Sequence, residues 1–180
     1  MRAIVVYESM YGNTRLVAER IADGLREGYE VTLRTVSDAL DTPEPPPDLL
    51  VVAGPTHVHS LSSERTRRAA ADAAGKPASG LTLEASATGP GVREWLARVG
   101  DGEGVAAAAF DTRIDAPPAL TGRASKGIAR RLRRAGFHLE VEPESFLVDK
   151  HNHLLEGEEV RARAWGAALA AATLGAFVAG

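Results

Sequence analysis

The chain has 180 residues and a formal net charge of −3, with 44% hydrophobic and 25% charged residues. This composition is ordinary for a globular protein of single-domain size, and the absence of cysteine excludes disulfides, thiolate catalysis and cysteine-ligated metals. The negative net charge argues against a dedicated nucleic-acid-binding protein.

The first predicted strand, residues 3–7, is continuously apolar and rich in β-branched residues. A polar loop at 8–14 follows it, and Val17, Ile21 and Leu25 then recur at helical spacing. A strand that is apolar on both faces belongs inside a parallel sheet, and its loop delivers serine, asparagine and threonine to the next helix N-terminus. Unpaired N–H groups, the helix dipole and these side chains predict a phosphate site here.

The rest of the chain continues the alternation of strands and helices. Segment 29–36 alternates apolar and polar residues like an edge strand, and several prolines limit the link before residue 47 to about one helical turn. We expect a central strand at 48–54, a helix from Ser62 or Ser63 to Gly75, a loop at 78–91, a short helix at 92–99 and an alanine-rich strand at 105–110.

The C-terminal part contains the last three predicted elements. These are a helix at 125–134, an alternating edge strand at 137–141 that resumes at 146–148, and a final helix from about residue 156. The uncharged tail 164–180 is mostly alanine and glycine, which favours a frayed helix over a membrane span. The first strand begins at once, leaving no room for a signal peptide, so we expect a cytoplasmic protein with one domain over residues 1–180.

Together the strands predict the fold class. Three strands are apolar throughout and two alternate, so patterning and right-handed crossovers give a five-stranded parallel sheet of order 2-1-3-4-5 in a three-layer α/β/α sandwich. A ligand crevice is expected where the strand order reverses, lined by the loops 9–14, 55–60 and 110–115.

The loop at 9–14 reads Ser-x-Tyr-Gly-Asn-Thr. It lacks the lysine of a Walker A loop and the three glycines of the dinucleotide fingerprint, and it resembles the FMN phosphate loop of the flavodoxin family. The segments 143–148, 157–159 and 164–166 are similar to the end of many bacterial flavodoxin-domain proteins, so the resemblance covers essentially the whole chain. It implies a flavodoxin-like fold that binds FMN without a covalent bond.

The resemblance also implies a set of cofactor-binding residues. The phosphate loop and two ring loops supply them: Ser9, Met10, Tyr11, Gly12, Asn13, Thr14, Pro55, Thr56, His57, Val58, His59, Asp111, Thr112 and Arg113. Flavodoxins usually hold the flavin between aromatic rings, whereas the second loop here offers two histidines. Neither a metal site nor a catalytic residue is predicted; the pairs His57/His59 and His151/His153 are better explained by the ring loop and a polar turn.

Three functions follow from these expectations. The first is electron transfer by an FMN-binding protein between a reductase and an acceptor. The second is an FMN-dependent NAD(P)H:quinone-type oxidoreductase that uses a nicotinamide cofactor, and the third is a flavin-free interaction module with the same fold. The partners expected are flavin and a redox protein or nicotinamide, without nucleic acid or membrane.

The run Arg130, Arg131, Arg133 and Arg134 is typical of a solvated helix face, with docking of an acidic partner as the alternative.

Overall fold

The computed structural model describes residues 1–41, 45–77 and 79–179, with side chains up to residue 175. Strands and helices alternate along it. The strands are β1 Arg2–Tyr7, β2 Glu30–Thr35, β3 Leu49–His57, β4 Ser60–Leu61, β5 Ala106–Ile114, β6 His138–Leu139 and β7 Glu144–Val148. The helices are α1 Asn13–Leu25, α2 Val36–Asp41, α3 Glu64–Ala74, α4 Val92–Leu96, α5 Pro118–Thr121, α6 Ala124–Arg134 and α7 Glu158–Ala179.

The main sheet is parallel and has the order β2-β1-β3-β5-β6, with β7 also paired to β5. This confirms the predicted order 2-1-3-4-5, because β5 is the fourth strand of the prediction and β6 with β7 is the fifth. Alanines carry the first half of β5, and it is nevertheless a buried central strand.

The number of strands differs from the predicted five. The last strand is split, because five residue steps from Leu139 to Glu144 face only three steps of β5, from Ala107 to Phe110. Pro143 lies in this bulge and has no N–H to offer the ladder. The other extra strand, β4, pairs antiparallel with the end of β3.

Each face of the sheet carries its own core. On one face, inward residues of β1, β3 and β5 pack with α1 and α7 around buried side chains such as Ile21, Phe110 and Leu169. On the other face, the alternate strand residues pack with α2, α4 and α6 around Val52, Ile128 and Leu132. The apolar runs of the three central strands are explained by this burial on both sides.

Helices α1 and α7 approach each other at backbone distance. A Cβ atom on Gly24 would overlap the carbonyl oxygen of Arg163 and lie 2.6 Å from the amide nitrogen of Ala167. One on Gly166 would overlap the carbonyl of Ile21. Glycine is therefore required at both positions by close packing rather than by backbone conformation.

Among the described helices, none combines the length and apolar character that a membrane span requires.

Candidate functional site

A cleft of about 190 Å³ opens at the carboxyl ends of β1, β3 and β5. It lies where the strand order reverses, which is where ligands bind in open α/β sheets. The residues that line it come from four segments: Ser9, Met10, Tyr11, Asn13, Thr14, Pro55, Thr56, His57, Thr112, Arg113, Ile114, Val148 and Asn152.

The loop after β1 leads into a helix N-terminus without a side-chain cap. Gly12 is the N-cap residue of α1 and has φ 95°, a left-handed conformation that favours glycine. Its N–H donates to Ser9 Oγ at 3.1 Å, and the helical ladder begins with Leu16 N–H to the Gly12 carbonyl at 2.9 Å. No acidic residue lies in the first turn. The N–H groups of residues 13–15 therefore have no intrahelical acceptor, which leaves them able to donate to an anion.

Side chains of the loop hold the surrounding walls in place. The Tyr11 hydroxyl donates to the Ala70 carbonyl of α3 at 2.8 Å. Asn13 Nδ2 donates to the Asn152 carbonyl at 2.8 Å, so this amide joins the loop to the turn after β7.

The hydroxyls of Thr14 and Thr112 are 2.7 Å apart and buried. When the Thr112 hydroxyl is the donor of this pair, the Thr14 hydroxyl keeps its own hydrogen for a ligand in the cleft.

A segment outside the cleft also holds the loop. In the loop between α3 and α4, the Glu84 N–H donates to the Met10 carbonyl at 2.9 Å, and its Oε1 accepts from Arg15 Nε at 3.0 Å. Hydrogen bonds to Glu84 and Glu19 raise the pKa of Arg15, so its guanidinium stays charged beside the helix N-terminus. The loop is thus held in its conformation without a ligand, which lowers the entropic cost of binding.

The loop predicted at 55–60 is a hairpin. Strand β3 continues through Gly54 and Pro55 to His57, and β4 returns after a two-residue turn. Both turn residues, Val58 and His59, have positive φ values of 43° and 69°. Such values are strained for a β-branched residue, so the surroundings must enforce the turn. They do so through a β-bridge between His59 and Gly122 at the end of α5.

A second pocket of about 270 Å³ adjoins the cleft and shares Thr56, Arg113 and Ile114 with it. Three apolar side chains around it are exposed: Val58 at 79%, Leu120 at 68% and Ile114 at 51%. They come from the ends of β3 and β5 and from α5. The site therefore has a polar end at α1, and at the hairpin exposed aliphatic side chains lie beside polar residues such as His59 and Thr121.

Most ionisable side chains near the cleft are paired within the protein or are neutral. Burial lowers the pKa of His57, and the nearby Arg67 charge lowers it further, so the imidazole is neutral at pH 7. Arg67 itself is buried, donates to Ser62 Oγ at 2.9 Å and pairs with Glu94 at 3.2 Å. Burial raises the pKa of Glu8, whose carboxylate accepts from the Val92 N–H at 2.8 Å.

Asp111 and Arg113 lie two positions apart in β5, and of the two only Arg113 lines the cleft. Arg113 lines the cleft; its Nη1 donates to the carbonyls of Ile114 and Ala116, while its Nε is buried without a partner in the described chain. Asp111 is fully buried and accepts from the Ser125 N–H of α6 at 2.7 Å. Burial raises the pKa of Asp111. This side chain accepts a hydrogen bond at the start of α6 and does not line the cleft.

The structure thus brings most predicted site residues together and separates four. Gly12 shapes the loop, Val58 and His59 line the second pocket, and Asp111 lies on the α6 side of β5. Two cleft residues, Val148 and Asn152, lie outside the predicted loops, and Ile114 lies in the predicted loop 110–115 but not in the predicted cofactor-binding set. The strand at 146–148 offered a signal, because parallel strands end at the same edge and Asn is common at positive φ, which Asn152 adopts at 65°.

The doubly wound parallel sheet, with a polar loop and bare helix end at its switch point, defines a flavodoxin-like α/β sandwich. A family model described as flavodoxin matches residues 5–93, which include the phosphate loop and the hairpin. This match and the fold together support a flavodoxin-family protein, and flavodoxin-like proteins are flavin-binding electron-transfer proteins.

Solved structures agree with this fold across nearly the whole chain. An archaeal flavodoxin is 18% identical with a TM-score of 0.59, covering 96% of this chain and 99% of its own. Oxidised Flavodoxin 1 from Bacillus cereus is 17% identical with a TM-score of 0.60 and 97% coverage of both chains. Rubredoxin oxygen:oxidoreductase from Desulfovibrio gigas is 15% identical with a TM-score of 0.56, covering 96% of this chain and 37% of its own. No curated protein matches the sequence significantly.

The residues present fit a phosphate ester attached to a planar apolar ring. The anion would meet the N–H groups of residues 13–15 and the Thr14 hydroxyl, without an acidic residue in the first turn of the helix. The ring would meet aliphatic surfaces at Val58 and Ile114 instead of an aromatic sandwich. The unpaired Nε of Arg113 lies between these two ends.

Proposed function

We propose that this protein binds FMN non-covalently and transfers electrons between a reductase and an acceptor in the cytoplasm, as a single domain over residues 1–180. One observation carries the proposal: the uncapped N-terminus of α1 opens into a cleft that continues into the second pocket. Each space alone is small for a cofactor. Because the two spaces share residues they are continuous, and their combined volume is of the size that cofactor sites require.

The chain's own residues would bind and orient the cofactor. Gly12 and Ser9 shape the loop, and the N–H groups of α1 with Thr14 would hold the phosphate. The hairpin and Ile114 would cover the ring and exclude water from it. When bound, the isoalloxazine supplies reversible uptake and release of electrons.

A second candidate is an FMN-dependent oxidoreductase that takes electrons from a nicotinamide cofactor and reduces quinones. The exposed apolar side chains Val58, Ile114 and Leu120 favour it, because they offer an apolar acceptor a surface beside the cleft. NAD(P)H oxidation with a quinone, without any added reductase, would support this candidate over the carrier.

Titration of the purified protein with FMN and with riboflavin, followed by flavin fluorescence, tests the proposal. We expect FMN to bind at least about tenfold more tightly, because a charged phosphate contributes hydrogen bonds of 1.5–3 kcal/mol each. Thr14→Val should weaken FMN binding by about tenfold and leave riboflavin unchanged. The control Thr173→Val removes a buried hydroxyl between α7 and Tyr29, far from the cleft, and should change neither.

Equal affinities for the two flavins would reject the phosphate site at α1. Absence of binding by either flavin would favour the flavin-free interaction module.

A further inference from the structure

Helix α6 carries a row of cations without any acidic residue. Its eleven residues include five cations and no Asp or Glu: Lys126, Arg130, Arg131, Arg133 and Arg134. Lys126, Arg130 and Arg134 recur every four residues and share one side of the helix. At a rise of 1.5 Å per residue, this row is about 12 Å long.

Within the part of the chain that the structure describes, none of these five cations makes an ion pair. Arg131 Nη1 donates only to the Gly127 carbonyl of its own helix, at 3.1 Å. Burial lowers the pKa of Arg131, and the like charges of Arg93, Arg130 and Arg134 lower it further. These like charges therefore lie close together, and no acidic side chain of the described residues pairs with them.

These arginines border an open groove between α4 and α6. It has a volume of about 300 Å³, and its lining consists of Arg93, Leu96, Ala97, Arg131, Arg134 and Ala135. Arg93 is fixed in place by hydrogen bonds from Nε to the Ser62 carbonyl at 2.8 Å and from Nη2 to the Leu61 carbonyl at 2.6 Å. Three arginines and three apolar residues thus line the groove, and Leu96 among the apolar residues is largely buried.

We propose that the groove between α4 and α6 docks an acidic segment of a partner protein, with its carboxylates on Arg93, Arg131 and Arg134. Planar guanidinium groups suit carboxylates because they form paired hydrogen bonds with them. The alanines give the segment's apolar side chains a surface to cover. This proposal is independent of flavin binding.

Other anions fit the groove less well. Most of its lining comes from the C-terminal parts of α4 and α6, whereas the N–H groups that suit a small phosphate lie at helix N-termini. No aromatic side chain lines the groove for the base stacking that single-stranded nucleic acid uses.

The test is the binding of a short fluorescent peptide of glutamate and leucine to the full-length protein, measured by anisotropy at low salt. The same peptide with glutamine for glutamate is the first control. Arg131→Glu/Arg134→Glu should weaken binding of the glutamate peptide by about tenfold or more. The matched control Arg26→Glu/Arg163→Glu changes the net charge equally on the α1–α7 side and should weaken binding by less than about twofold. Arg131→Gln/Arg134→Gln removes the two charges without reversing them. It should also weaken binding of the glutamate peptide, and it replaces the charge-reversed protein if that protein does not fold.

Equal losses in the two charge-reversed proteins would overturn the proposal, because long-range charge would then explain the binding. Tighter binding of a duplex DNA oligonucleotide than of the peptide, lost on the same substitutions, would overturn it in favour of nucleic acid. Binding of inorganic phosphate without binding of the peptide would assign the groove to a small anion instead. Equal binding of the glutamine peptide would also overturn it.

Discussion

The arginines on the two helical faces of the sheet differ in their ion pairs. On the α1–α7 face, Arg20 pairs with Asp23 and Glu159, at 3.2 Å and 2.9 Å, and Arg161 pairs with Glu158 at 2.7 Å. On the α4–α6 face, the cations of α6 have no acidic partner in the described chain. Internal ion pairs thus neutralise these arginines of α1 and α7, whereas on the other face Arg67 pairs with Glu94 but the cations of α6 leave their charge available to another molecule.

The largest expected effect comes from disrupting the close packing of α1 against α7. Gly24→Ala or Gly166→Ala would place a methyl group against the backbone of the facing helix, so we expect each to lower the free energy of unfolding by about 3 kcal/mol. Urea denaturation measures this. Gly175→Ala is the control in α7, because nothing lies within 4 Å of its added Cβ. An equally destabilised Gly175→Ala protein would contradict close packing as the cause, because helix propensity by itself favours Ala over Gly.

The next effect concerns the Glu158 carboxylate at the start of α7. It accepts from the Leu147 N–H and from Arg161 Nη2, both at 2.7 Å, so Glu158→Gln should cost about 2 kcal/mol by weakening both bonds. Burial would raise the pKa of Glu158, but hydrogen bonds from Arg161 and the Leu147 N–H outweigh it and hold the pKa below its ordinary value.

The sign of its pH dependence follows. The folded pKa lies below the unfolded one, so this stabilisation is present above the unfolded value of about 4.3 and is lost as pH falls through the folded pKa. Denaturation between about pH 5 and pH 3 should show a shallower loss of stability in Glu158→Gln than in the wild type. Parallel curves over that range would contradict the assignment.

A smaller effect of opposite sign is expected on the α4–α6 face. A Cβ atom at Gly127 in α6 would make only ordinary contacts of 3.6–3.8 Å, so Gly127→Ala should stabilise the protein by about 0.5–1 kcal/mol through helix propensity. The thermal midpoint and urea curve measure this gain. A loss of stability would mean that α6 is packed as tightly as α1.

The smallest expected effect distinguishes arginines that have ion-pair partners from the arginines of α6. Arg131→Gln/Arg134→Gln removes repulsion and should raise the free energy of unfolding by about 0.5 kcal/mol. Arg20→Gln on the other face removes two exposed ion pairs and should lower it slightly. Replicate urea titrations of the three proteins give the signs. Destabilisation by both changes would contradict the difference between the faces.

The sequence was informative where local pattern and burial agree. Periodicity and capping residues predict the strand order, a serine cap for α3 at Ser62 or Ser63 and the alanine strand; the structure has all three, with Ser63 as the cap. The hairpin after β3 was not foreseen, since such turns favour Gly or Asn where this chain has Val58 and His59. Contacts with β4 and with Gly122, distant in sequence, impose that turn.

The candidate site shows the same division. The phosphate loop was visible because its strand, loop and helix are contiguous, whereas Asn152 reaches the cleft through a contact with Asn13, 139 residues away in sequence. Side-chain alternation along a continued β5 places Thr112 in the cleft and Asp111 outside it, but the predicted strand ended at residue 110.

The split final strand has a consequence for association between molecules. An uninterrupted edge strand offers a row of free N–H and C=O groups on which another chain can extend the sheet, the first step of aggregation. Here the ladder is broken between β6 and β7 by a bulge containing Pro143, and the Leu147 N–H and carbonyl are bound by Glu158 and Leu155. An approaching strand therefore finds no continuous template along this edge, which protects the folded protein against fibril-like growth from that side.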